Sequence, residues 1–123
     1  MPITYVIDRI QQRMTTHADG LVTFDDINRH LDAEEHERAL GLPELFDARG
    51  ATTNITADQV RRLVRRAADT ARKAPLGPTA IVADNDVAFG MARMYSILME
   101  DVAGSVSVFR DLGSARRWLD RPD

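Results

Sequence analysis

The sequence predicts a single α/β domain with a mixed sheet and about four flanking helices. Residues 3–8 alternate apolar and polar side chains, as a strand with one buried face does. Further on, short apolar runs alternate with segments that have amphipathic helical spacing. The stretch 79–99 joins one such run to a segment that is apolar around most of its circumference. That combination is typical of a buried strand leading into a largely buried helix.

The chain opens with a predicted hairpin and a capped helix. Strands at residues 3–8 and 10–17 form the hairpin, and a turn follows at residues 18–20. Thr23 is the expected N-cap of the first helix, because its hydroxyl can accept a hydrogen bond from the first turn. This helix ends close to Leu40, ahead of a glycine and a proline.

The middle of the chain contains the clearest amphipathic helix. A short strand at residues 44–48 and a polar connection at residues 51–55 precede it. Thr56 is the expected N-cap. Apolar residues then recur at i, i+3, i+4, i+7, i+8 and i+11 between Val60 and Ala71.

The last part adds two strands and two helices. Residues 80–83 form a strand and lead into the helix that ends near residue 99. A further strand covers residues 105–109, and Asp111 caps a helix at residues 112–119. The predicted order is therefore β-β-α-β-α-β-α-β-α. Because helices separate the later strands, we expect right-handed parallel crossovers after an antiparallel start.

Composition excludes several classes of protein. The 123 residues fit one domain, residues 1–123, and 44% are hydrophobic and 28% charged. There is no cysteine, which excludes disulfides and thiolate chemistry. The sequence has no apolar run of membrane-spanning length and no basic leader, so we expect a cytoplasmic protein. A net charge of −3 gives no reason to expect nucleic acid or a membrane as partner.

Charge is distributed unevenly between two helices. The helix at residues 24–40 is mostly acidic, and the helix at residues 60–73 is mostly basic. The two faces can pair with each other, or one of them can offer a charged docking surface to a partner protein.

The histidines predict no metal site. His17 lies near a turn, and His30 and His36 are six residues apart on one predicted helix. Two ligands on one helical face would be four apart. We therefore expect all three on the surface, and we predict no metal and no cofactor.

One polar cluster follows a predicted buried strand. Asp84, Asn85 and Asp86 stand where the strand ends and a helix begins, and Arg93 follows on that helix. Ligands of open α/β sheets gather at this position, so the four residues form a possible polar site. Capping of the helix is the alternative explanation.

The helix after this cluster is more apolar than one sheet face requires. Simple burial, a homodimer contact or a pocket for a small apolar molecule would each explain its composition. Gly90 costs about 1 kcal/mol relative to alanine within a helix, so we expect a close neighbour there. The predicted interface or ligand groove consists of Phe89, Gly90, Met91, Met94, Tyr95 and Leu98.

Three segments resemble the SpoIIAA-like family, in a bacterial branch related to the STAS domain. They read THADGLVTFDDI, LFDARGATTNITADQV and AIVADNDVAFGMARMY. The resemblance implies a SpoIIAA/STAS-like mixed sheet. In signalling members of the STAS group, a Ser or Thr at a helix start is phosphorylated by a partner kinase. The matching stretch here is residues 54–57, so the resemblance implies Thr56 as a possible phosphoacceptor, with N-capping as the alternative role.

These observations predict a non-enzymatic binding or regulatory module. We expect it to act through protein–protein interaction and through self-association as a homodimer. A carrier of a small apolar ligand is the alternative. An enzyme using Asp84, Asp86 and Arg93 is the weakest possibility, because no nucleophile–base pair or cofactor loop is visible in the sequence.

Overall fold

A computed structural model describes residues 2–102 and 104–121 of the chain. A three-residue 3₁₀ turn at Met99–Asp101 precedes the last strand. The strands and helices are β1 (Ile3–Asp8), β2 (Arg13–Ala18), β3 (Gly20–Val22), α1 (Phe24–His36), β4 (Glu44–Asp47), β5 (Ala51–Thr53), α2 (Ala57–Ala71), β6 (Thr79–Val82), α3 (Asp86–Leu98), β7 (Val106–Phe109) and α4 (Leu112–Asp120).

The main sheet has five strands in the order β1-β2-β4-β6-β7. β1 and β2 pair antiparallel, with Tyr5 opposite Thr16. The remaining neighbours pair parallel, and their register places Thr16, Phe46, Ile81 and Val108 in one row across the sheet. This mixed sheet with four helices confirms the predicted fold class.

Two short strands lie outside the predicted order. β3 and β5 form a separate parallel pair in which Leu21 lies opposite Thr52. The prediction of a polar connection at residues 51–55 is therefore wrong for its first three residues. Three-residue strands are too short to show an alternating pattern, and only the approach of the two segments in space pairs them.

Local capping signals place the starts of these helices correctly. Thr23 and Thr56 each form a reciprocal capping box with the residue three positions later, and Asp111 caps α4. α1 ends at His36, earlier than predicted, because Arg38 adopts a left-handed φ of 57°. The amide of Ala39 then donates to Glu34 O at 2.8 Å, which is the Schellman pattern of a helix end.

The two faces of the sheet are covered differently. On one face α4 packs Ala115 and Leu119 against Leu45, Ala80 and Val82, which forms a close-packed apolar core. The opposite face of the sheet is covered by α1, α2 and α3, and a cavity lies between these helices and the sheet.

The acidic and basic helices pair with each other. Arg66 of α2 lies 2.7 Å from Asp32 and 3.1 Å from Glu35 of α1, and it also donates to Asn28 Oδ1 at 3.0 Å. These bonds join the two helices along one side of the cavity. Among the helices in the described part of the chain, none has the length and apolar character needed to cross a membrane.

Candidate functional site

A cavity of about 200 Å³ lies between the main sheet and helices α1, α2 and α3. Its wall is mostly apolar, and each of the three helices and β6 contributes to it. Representative lining residues are Ile27, Leu63, Ile81, Ala92 and Met91. Its ionisable lining residues are His30, Glu34, Glu35, Glu44, Arg66 and Tyr95. The cavity therefore combines a mostly apolar wall with the buried cluster of His30, Glu34 and Glu44 and, at its side, the ion pair between Glu35 and Arg66.

Two elements bring the charged cluster together. His30 and Glu34 are four residues apart on α1, so they project from the same face of that helix. Glu44 is the first residue of β4, and its backbone amide donates to Pro78 O at 2.9 Å. The Schellman end of α1 turns the chain back, so that β4 begins beneath the helix face that carries His30.

The three side chains are buried and in direct contact. His30, Glu34 and Glu44 are only 6%, 5% and 6% exposed. His30 Nε2 lies 2.8 Å from Glu44 Oε2 and 2.9 Å from Glu34 Oε1. Thr16 of β2 donates its hydroxyl to the same Glu44 oxygen at 2.5 Å. One imidazole nitrogen therefore faces two carboxylates, and the carboxylate of Glu44 also accepts a hydrogen bond from the Thr16 hydroxyl.

Aromatic rings fix the orientation of the imidazole. The ring of Tyr5 meets His30 edge-on at a centroid distance of 5.8 Å. The ring of Phe46 does the same from another side at 5.6 Å. Edge-on pairs of this kind stabilise one ring orientation. The imidazole is consequently held with Nε2 toward the carboxylates.

Burial and close charges shift the pKa values of the cluster. Burial acts to lower the pKa of His30, but hydrogen bonds and charges from Glu34 and Glu44 outweigh it and raise the pKa to about 9. Burial raises the pKa of Glu34 to about 7, and the charge of Glu44 adds to this effect while His30 opposes it. Both shifts favour the protonated forms, which are the imidazolium of His30 and the neutral carboxyl of Glu34.

Tyr95 of α3 lines the same cavity. Burial, followed by the charges of Glu34 and Glu44, raises the pKa of its phenol to about 12. The phenol therefore stays neutral and can donate or accept a hydrogen bond inside the cavity.

The site's ligand atoms also suit a metal ion. One imidazole nitrogen and one oxygen from each carboxylate lie within 4.8 Å of one another. Imidazole and carboxylate are common ligands of divalent transition metals. The imidazole and the two carboxylates can therefore coordinate a cation, accept a hydrogen bond from a donor, or share a proton among themselves.

The prediction that all three histidines are on the surface is wrong for His30. His17 and His36 are exposed, whereas His30 lies under Tyr5 and beside Phe46. The spacing of the histidines to each other gave no signal. The i, i+4 spacing of His30 to Glu34 carried that signal, because histidine and glutamate so placed share a helix face.

The residues of the predicted polar site do not converge on one point, and three of them make separate structural contacts. Asp84 accepts from the amide of Gly50 at 3.2 Å, and Asn85 caps α3 through Val87 and Ala88. Asp86 forms an ion pair with Arg110 at 2.9 Å. Arg93 is exposed on α3. Within residues 2–102 and 104–121, none of these four predicted residues lines the cavity.

The predicted groove on α3 separates into two faces. Met91 and Tyr95 line the cavity, and Phe89 lies under the guanidinium of Arg110 at 4.0 Å. Met94 and Leu98 are half-buried. Gly90 is exposed, and a methyl group added to it would meet open space within the chain. The expected close neighbour of Gly90 is therefore not supplied by the described residues.

Thr56 has the geometry of a helix cap. Its hydroxyl accepts from the amide of Gln59 at 3.2 Å, and its own amide donates to the Gln59 side chain at 3.0 Å. The residue is exposed. Its role as a phosphoacceptor stays a prediction.

Comparison with known proteins identifies the fold. No family model matches the sequence, and no curated protein matches it. One solved structure that resembles the chain is an uncharacterised protein of the DUF3478 family, with a SpoIIAA-like fold, from Shewanella loihica PV-4. The two chains are 19% identical, the match covers 95% of this chain and 93% of that one, and the TM-score is 0.59. This chain has a SpoIIAA-like fold, as its sequence resemblance predicted.

Proposed function

We propose that this protein is a non-enzymatic binding module that holds a small, mostly apolar molecule in the cavity between the sheet and α1–α3. The ligand carries one amine, which faces the carboxylates of Glu34 and Glu44. The observation that supports this proposal is an apolar cavity with a buried, charged cluster in its wall. Pockets for small molecules combine these two features, because apolar walls supply affinity and a few polar groups orient the ligand.

The cavity's size sets the size of the ligand. Its volume is about 200 Å³. An apolar protein cavity of about 150 Å³ binds benzene. A molecule with one aromatic ring and a short amine-bearing arm is therefore the expected class.

The charge of the cluster selects the ligand's polar group. Two carboxylates face a single imidazolium, so the fully ionised cluster has an excess of negative charge. An ammonium group would be attracted in this water-poor environment, and a carboxylate would be repelled. Benzylamine should therefore bind more tightly than toluene, and benzoate should not bind.

Two alanine variants test the proposal. Ala92 lines the cavity, whereas Ala74 is exposed outside it. Ala92→Leu should add three carbon atoms to the cavity, leave too little space for benzylamine, and abolish the benzylamine-dependent chemical-shift changes in amide NMR spectra. Ala74→Leu adds the same side chain at the surface and should leave them unchanged. Equal binding by both variants, or equal affinity for benzylamine and benzoate, would contradict the proposal.

Self-association through α3 is a second candidate function. Val87, Gly90, Met94 and Ile97 follow the spacing i, i+3, i+7 and i+10, which places them on one face of the helix. Val87 is 58% exposed and Ile97 is 50% exposed. The open space at Gly90 would let a second helix approach closely. A second copy of this chain is the occupant we propose.

Light scattering tests this second candidate. Ile97→Glu places a charge in the proposed contact and should convert a dimer to a monomer. Ile10 is also exposed but lies outside α3, so Ile10→Glu is the matched control and should leave the mass unchanged. A monomeric parent protein at high concentration would contradict self-association through α3.

A further inference from the structure

In the cluster of His30, Glu34 and Glu44, two carboxylate oxygens share one hydrogen-bond donor. A single N–H of His30 faces two carboxylate oxygens at 2.8 and 2.9 Å. One N–H cannot point along a straight line at both oxygens. Three ligand atoms that converge in this way are typical of a metal site, whereas an ion pair with good geometry has one acceptor in line with each N–H.

The distances between the ligand atoms are close to those found around a small divalent ion. Divalent ions bind nitrogen and oxygen ligands at about 2.1 Å, so two ligands lie about 3.0 Å apart in an octahedral site and about 3.4 Å apart in the tetrahedral site that zinc prefers. Nε2 of His30 lies 2.9 Å from Glu34 Oε1 and 2.8 Å from Glu44 Oε2. One ligand atom from each of the three residues lies within 4.8 Å of the others, so small side-chain adjustments would bring all three to one ion.

Charge also favours a dication at this position. When both buried carboxyls are ionised, they outnumber the single imidazolium between them, which leaves excess negative charge in a site that water reaches poorly. A divalent ion with neutral imidazole and two carboxylates gives a neutral cluster. The ion would take the position of the proton that His30 now directs at the two carboxylates.

Residues around the cluster fix the orientation of its side chains, as the residues around a metal site do. The hydroxyl of Thr16 donates to Glu44, and the rings of Tyr5 and Phe46 fix the plane of His30. Hydrogen bonds and packing of this kind orient metal ligands and raise their affinity. All three ligand residues line the cavity, which gives an ion a route of entry.

We propose that His30, Glu34 and Glu44 bind one divalent transition-metal ion, with Zn²⁺ as the representative, at the wall of the cavity. The three side chains occupy one side of the ion. The positions on the cavity side are free for water or for a donor atom of a bound molecule. The ion and the ammonium group of the proposed organic ligand would use the same two carboxylates, so they are alternative occupants of the cluster, and the metal proposal stands without the organic ligand.

The test measures metal binding directly. The protein is stripped with a chelator and titrated with Zn²⁺ in equilibrium dialysis, and bound metal is counted by elemental analysis. Co²⁺ serves as a second probe, because its visible absorption reports nitrogen and oxygen ligation. We expect one ion per chain, a Co²⁺ spectrum that zinc abolishes, and a rise in thermal midpoint with added zinc.

Three variants decide the assignment. Glu34→Gln and Glu44→Gln keep the size of the side chain and should weaken binding by at least about tenfold. His36→Asn removes an exposed histidine from the same helix and should leave binding unchanged. Circular dichroism verifies that each variant is folded, and Glu34→Gln provides the test if Glu44→Gln is not.

Two results would overturn the proposal. One is the absence of saturable binding of Zn²⁺ and Co²⁺ by the folded, stripped protein. The other is binding that persists in Glu34→Gln and Glu44→Gln but is lost in His36→Asn, which would place the ion on the surface. Ala92→Leu separates the two proposals, because it should abolish benzylamine binding and leave zinc binding intact.

Discussion

His30 and Glu44 are 14 residues apart in the sequence, and His30 Nε2 lies 2.8 Å from Glu44 Oε2 in the interior. This contact ties α1 to the first residue of β4 at the wall of the cavity. A buried ion pair contributes little net stability compared with apolar residues of the same shape, because both partners lose their hydration. The presence of three ionisable groups here is therefore better explained by binding than by stability.

Removing the imidazole should destabilise the protein strongly. His30→Leu leaves the carboxylates of Glu34 and Glu44 buried without a cation, and breaking a buried pair costs about 3–5 kcal/mol. Urea denaturation at pH 8 measures the free energy of unfolding. His36→Leu on the same helix is the control and should change it by less than about 0.5 kcal/mol. A loss of similar size in both variants would show that the buried cluster is not the cause.

Stability should fall as the pH rises from 5 to 9. The pKa of His30 is raised from 6.5 to about 9, so its contribution is fully present below pH 6.5 and is lost as the pH passes 9. The pKa of Glu34 is raised from 4.5 to about 7, so the folded state favours its protonated form. The contribution of Glu34 therefore also falls with rising pH, between 4.5 and 7.

Denaturation of chelator-treated protein at pH 5, 7 and 9 measures this decline. Glu34→Gln removes one of the two titrating groups. The variant should lose less stability than the parent between pH 5 and pH 7. Parallel curves for parent and variant over that interval would contradict the raised pKa of Glu34.

Gly90→Ala should stabilise the single chain by about 1 kcal/mol. The added methyl group meets open space, and alanine has the higher helix propensity. Thermal unfolding at a concentration where light scattering shows monomers measures the change. Gly77→Ala is the contrasting variant, because a methyl group there would lie 2.6 Å from the carbonyl carbon of Leu42 and should destabilise the fold. A destabilised Gly90→Ala monomer would mean that α3 packs differently.

Thr56→Ala should cost about 1 kcal/mol of stability through loss of the N-cap of α2. Thr56→Ser keeps the hydroxyl that accepts from the amide of Gln59 and should retain most of the stability. The urea midpoints of the two variants measure this difference. Equal midpoints would show that the cap is not important for α2.

Phosphorylation of Thr56 would act at the same helix start. An added negative charge suits the N-terminus of α2, so Thr56→Glu should fold and should change the set of proteins recovered in a pull-down. Thr56→Ser is the matched control for the loss of the threonine itself. An unchanged set of partners for Thr56→Glu would count against a regulatory role of this residue.

The sequence determined those parts of the structure that depend on neighbours along the chain. The caps at Thr23, Thr56 and Asp111 were predictable, because each side chain bonds to an amide within the next turn. Strand β1 was predictable because alternation over six residues reports one buried face. Together with the three resembling segments, these signals were sufficient for the SpoIIAA-like fold.

Tertiary structure alone decided the candidate site. The i, i+4 spacing of His30 and Glu34 is visible in the sequence, but Glu44 joins them only because β4 passes beneath α1. The burial of His30 on α1 also depends on Tyr5 of β1 and Phe46 of β4, whose rings pack against it. The apolar character of residues 79–99 is visible in the sequence, whereas the side of α3 that faces the cavity is defined only by the packing of the helices. Local sequence fixes helices and caps through short-range bonds, whereas a cavity is the space left between distant elements.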